Sequence, residues 1–77
     1  MMNETQNMVY TKMAEEYFIS AGKLEIFLDK LKSDTELKLK NPKQYNSNIA
    51  CIRTIRNECL STGNLLKRRA ERYENAE

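Results

Sequence analysis

At 77 residues the chain makes at most one small domain, and positions 1–77 read as a single helical one. Apolar residues are 40 %, charged residues 31 % with both signs mixed, and the formal net charge is +2, which is too apolar and too balanced for a disordered tail. Two glycines and one proline leave little material for sheet turns, so the composition points to an all-α fold.

The opening Met1-Met2-Asn3-Glu4 has no basic residue, and no apolar stretch follows it, so no secretory leader is expected. Asn3 or Thr5 can cap a first helix from about residue 5, with Glu4 near its positive end. From there the apolar residues Tyr10, Met13, Ala14, Tyr17, Ala21, Leu24, Leu28 and Leu31 recur at steps of three and four. At 100° per residue they form one stripe, extended on one side by Val9, Ser20 and Phe27. Gly22 falls on the polar side. Ile19 and Ile26 stand one heptad apart and point away from the stripe, with Phe18 on its flank; these three form a candidate seam for another chain.

Ser33-Asp34-Thr35-Glu36 has the S-x-x-E form of a capping box, where the helix can stop and restart. Continuity to about residue 40, with a kink, is the favoured reading. Asn41-Pro42-Lys43-Gln44 then marks a reversal. Asn41 suits an N-cap, Pro42 the first helical position, and Gln44 the residue that reaches back to close the box. Pro42 also disfavours helical geometry at Asn41, ending the incoming helix near Lys40. A second helix is predicted over 42–75, with the stripe Tyr45, Ile49, Ile52, Ile55, Cys59, Leu66, Ala70 and Tyr73. Asn46-Ser47-Asn48 is a stretch prone to fraying, and Ser61-Thr62-Gly63-Asn64 a candidate break.

The expected fold is therefore a long antiparallel helical hairpin, with helices over about 5–40 and 42–75 and a turn at 41–42. Arms of ~45–50 Å leave one flank of each stripe uncovered, and packing two hairpins into a four-helix bundle would cover both. A homodimer is the expected state, with a three-helix monomer as the alternative. The interface residues expected are Tyr10, Met13, Tyr17, Leu24, Phe27, Leu31, Ile52, Ile55, Leu66 and Tyr73.

Chemistry is harder to place. The chain has no histidine, the commonest general base and metal ligand. Glu15 and Glu16 are adjacent and so diverge by ~100° on a helix. Cys51 and Cys59 do not have zinc-site spacing, and eight residues of helix, ~12 Å, exceed the ~7 Å limit for a bridge between them. Cys59, in the stripe, reads as a small core hydrophobe. No phosphate-binding glycine loop or nucleophile elbow occurs, and no run approaches the ~18 apolar residues of a membrane span. The expectation is a non-enzymatic protein with no cofactor, metal, membrane or small-molecule substrate, its thiols reduced in the cytoplasm. Its work would be binding another protein, as an adaptor, chaperone-like or regulatory subunit.

Two other readings stay open. All five arginines lie in the second half, and Arg53, Lys67, Arg68, Arg69 and Arg72 are candidate phosphate contacts for a nucleic-acid-binding or transcription-regulating accessory protein. They are spread over a broad arc of the helix. The ending Tyr73-Glu74-Asn75-Ala76-Glu77 fits Tyr-x-x-x-Asp/Glu, which resembles the export signal of the WXG class of secreted helical hairpins and would imply secretion. That class carries Trp-x-Gly at its turn, where this chain has Asn-Pro-Lys and no tryptophan anywhere.

Overall fold

The computed structural model describes residues 2–75, with side chains from Glu4 to Tyr73. Three helices account for nearly all of it: α1 (Met2–Lys32), α2 (Thr35–Lys40) and α3 (Pro42–Asn75). α1 and α3 lie antiparallel along a rod of 59 × 15 × 12 Å, the helical hairpin that the two apolar stripes predict. At the open end Asn7 Nδ2 donates to the Ala70 carbonyl at 2.6 Å. Tyr10 stacks there on Tyr73, with centroids 5.6 Å apart and planes 6° from parallel. At the closed end the Tyr45 hydroxyl donates to the Lys32 carbonyl at 3.2 Å, satisfying one of the acceptors that a helix C-terminus leaves without an internal partner.

The seam is narrow and built from small residues in its upper half. Ala14, Ala21 and Leu28 recur every seven residues in α1 and are all buried. They face Gly63, Leu66 and Ala70 of α3, and, near the turn, Tyr45 and Ile49. Alanine against alanine lets the backbones approach but removes little apolar surface from water. The one substantial cluster is Leu28, 1 % exposed, with Tyr45 and Ile49, flanked by Leu31, Leu37 and Ile52. Fully burying a leucine is worth ~1.5–3 kcal/mol, and this end gathers the largest cluster of buried side chains among the described residues.

The first helix does not run on to residue 40. It ends at Lys32, and a new helix begins at Thr35. Ser33 and Asp34 make the break by giving the backbone other hydrogen-bond partners. Ser33 Oγ donates to the Lys30 carbonyl at 2.7 Å, and Asp34 Oδ1 accepts from the Leu37 amide at 3.0 Å. The cap is thus Asp34, not the Ser33 that the S-x-x-E pattern would choose. Packing supplies the reason for the break. The reoriented α2 brings Leu37 onto the Leu28 cluster, while Leu39 stays 84 % exposed.

At the reversal Asn41 behaves as expected, its Oδ1 accepting from the Gln44 amide at 3.2 Å and its carbonyl from the Tyr45 amide at 3.0 Å. Gln44 does not close the box; its side-chain amide donates forward to Asn48 Oδ1 at 2.7 Å. That contact steadies the turn that the Asn46-Ser47-Asn48 run was expected to fray. α3 also continues unbroken through 61–64. There Gly63 is buried under the Phe18 ring, so close that a Cβ would stand 2.8 Å from Phe18 Cε1. At the start, α1 already includes Met2, which places Asn3 and Thr5 inside the helix instead of ahead of it.

Candidate interaction face

The stacked pair Tyr10 and Tyr73 fixes which flanks of the two helices lie on the same side of the hairpin. Tyr17, Leu24 and Leu31 repeat the position of Tyr10 every seven residues, and Leu66, Cys59 and Ile52 repeat that of Tyr73. One step further out on the same side lie Met13, Ser20 and Phe27 of α1 and Ile55, Thr62 and Arg69 of α3. The result is a largely apolar face spanning both helices, with Arg69 toward its open end. Tyr10, Leu24, Leu31, Ile52, Cys59 and Tyr73 are half-buried in it, and Met13, Tyr17, Phe27 and Ile55 are exposed. Phe27 and Ile55 keep 49 % and 41 % of their surface in water, on adjacent helices toward the turn end.

The opposite side mixes charged residues with exposed apolar ones, Ile19, Ile26 and Leu60 among them. Arg56 donates through its Nη1 to Glu25 and through Nε and Nη2 to Asn57 Oδ1 at 3.2 and 3.0 Å, a clasp between α1 and α3. Neither it nor the Asn7 bond was singled out in the sequence. The signal was there, since Asn7 lies seven before Ala14, and Arg56 seven from both Ile49 and Gly63 in the buried row. Polar residues at stripe positions in long helices are good candidates for interhelical hydrogen bonds.

Three expected positions move. Phe18 does not join an outward seam with Ile19 and Ile26; it is half-buried against Gly63, because the absent side chain leaves a notch that fits an aromatic ring. Leu66 belongs to the hairpin's own seam and is buried. Cys59 is half-buried on the apolar face, not in the core. Ile19 and Ile26 are 58 % and 60 % exposed on the far side of α1. Arg53, Lys67, Arg68, Arg69 and Arg72 are all exposed but share no single side: Arg53 and Lys67 fall in one seven-residue row, Arg68, Arg69 and Arg72 in three others. The tail motif runs past the described residues; its Tyr73 is engaged in the stack on Tyr10.

Among the described residues no group of three or more His, Cys, Asp or Glu could hold a metal ion, and no buried side-chain polar atom lacks a hydrogen-bond partner. The depressions are shallow, such as one of ≈ 330 Å³ on α3 lined by Thr54, Asn57, Glu58, Ser61 and Thr62. No described helix is long and apolar enough to cross a membrane. No protein-family model, curated protein or solved structure matches the chain.

Proposed function

We propose that this chain is a non-enzymatic protein–protein interaction module, an adaptor, chaperone-like or regulatory subunit, whose working surface is the apolar face of the hairpin. The observation that carries this is the continuity of that face across both long helices, with Met13, Tyr17, Phe27 and Ile55 exposed on it. Extended apolar patches rimmed by polar residues mark interaction surfaces, and large aromatic and aliphatic side chains set in such a patch are the usual anchors. The module works in the cytoplasm without a cofactor; two cysteines with no partner thiol fit a reducing compartment.

A photo-crosslinking residue placed at Phe27 in the expressed protein tests this, with the same residue at Arg53 on the opposite side as the control. Covalent adducts are expected from position 27 and not from position 53. No adduct at 27, or equal labelling from both positions, would refute the assignment of the face.

A further inference from the structure

We infer that the partner on this face is a second copy of the chain, laid face to face with the two turns at opposite ends, so that α1 runs along α1 of the other copy and α3 along α3. This rests on the interaction-face reading and names its occupant.

Area is the first argument. A compactly folded chain of 9.1 kDa exposes ~4,900 Å² by the surface scaling of monomeric proteins. The hairpin exposes 6031 Å², about 1,100 Å² more. A side of 59 by 15 Å offers roughly 900 Å², close to the ~800 Å² that each partner contributes to a standard stable interface. The apolar residues, from Tyr10 to Leu31 and from Ile52 to Tyr73, take up about 32 Å of its length, centred at its middle. One further copy laid along this side removes most of the excess and covers the apolar patch.

Symmetry and charge then select the arrangement. A closed two-fold dimer needs a self-complementary patch, and two two-fold axes would bring the faces together. An axis parallel to the helices puts both turns at the same end. Residues 27–53, which make up that end, carry six bases against three acids, so each copy would place a charge of +3 beside the other's +3. An axis across the helices separates the turn ends by most of the 59 Å rod, many times the ~8 Å screening length at physiological ionic strength. The cross-pairs across the hairpin, Asn7 with Ala70 and Glu25 with Arg56, put Ser20 level with Cys59 near mid-length, and the crosswise axis passes there. It sets Phe27 of one copy against Met13 of the other. On the rim of α1 it sets Glu16 against Lys23, twice by symmetry.

Light scattering and site-directed disulfides test both parts. At ~50 µM the wild-type chain should scatter as a species of about 18 kDa, twice 9.1 kDa. In a Cys51→Ser, Cys59→Ala background that keeps the wild-type scattering mass, Ser20→Cys should give a disulfide-linked dimer on oxidation with diamide, while Leu39→Cys at the turn should not. Ser20 and Leu39 are exposed in the hairpin, so neither variant disturbs the fold. A monomer at this concentration overturns the second copy; if the crosslinker at Phe27 still forms adducts, the interaction face stands without it, and if it forms none, both fall. A dimer in which Ser20→Cys fails to link, or Leu39→Cys links, overturns the crosswise arrangement.

Discussion

The two glycines of this chain sit mid-helix, and replacing each with alanine should affect stability differently. Gly22 lies on the exposed side of α1, and a Cβ built there meets nothing within 4 Å. Gly22→Ala then keeps the full helix-propensity gain of ~1 kcal/mol, a rise in melting temperature of ~4–8 °C for a domain of this size. Gly63→Ala gains the same propensity. Its Cβ, however, would stand 2.8, 3.0 and 3.1 Å from three carbons of the Phe18 ring. The atoms met belong to the ring of a half-buried side chain, which yields by swinging off α3 and giving up part of its burial, and overpacking of this kind costs ~1–3 kcal/mol. Gly63→Ala should therefore fall below Gly22→Ala by ~1–3 kcal/mol. In a Phe18→Ala background the clash is gone and Gly63→Ala should become stabilising, a coupling of the size that residues in contact show. Melts followed by far-ultraviolet circular dichroism, at one protein concentration for all variants, measure the set. If Gly63→Ala stabilises the wild-type background as much as Gly22→Ala does, the packing of Phe18 on Gly63 is refuted.

Two further substitutions separate the faces of α1. Leu28→Ala removes the most deeply buried large side chain and should cost ~2–5 kcal/mol, whereas Ile26→Asp, two residues away and exposed, should stay within ~0.5 kcal/mol; an Ile26→Asp chain that fails to fold would show the face assignment to be wrong. Asp34→Ala deletes the α2 cap and should cost about 1 kcal/mol locally, seen as faster hydrogen exchange at the Leu37 amide with the global melt little changed. Unaltered protection of that amide would show that Asp34 does not hold α2.

Much of the fold was legible because each long helix announces itself by steps of three and four sustained over many turns. The reversal was legible because Asn41 and Pro42 satisfy independent local rules at one boundary. The break at Ser33–Asp34 was not, since a capped break and a continuous helix differ by only ~1 kcal/mol in local terms. What decides it is Leu37 meeting Leu28, Tyr45 and Ile49. Phe18 was misread for a similar reason: its environment is set by a glycine on the other helix, outside any local window. The apolar stripes were visible, but they are broader than the seam. Only the pairing of α1 with α3 divides Ala14, Ala21 and Leu28, which the hairpin buries, from Met13, Tyr17 and Phe27, which it leaves to something else.

The two-residue break between α1 and α2 also makes the chain unequally tolerant of changes in length. One residue inserted within α1, between Ala21 and Gly22 for instance, would turn everything after it by ~100° and carry Leu28 out of the seam while α3 stayed in place. An insertion at Ser33–Asp34 falls where no helical phase has to be conserved, and asks only that α2 find its cap and set Leu37 down again. The joint acts as a phase buffer: α1 and α3 must stay in step with each other, and the segment that links them need not.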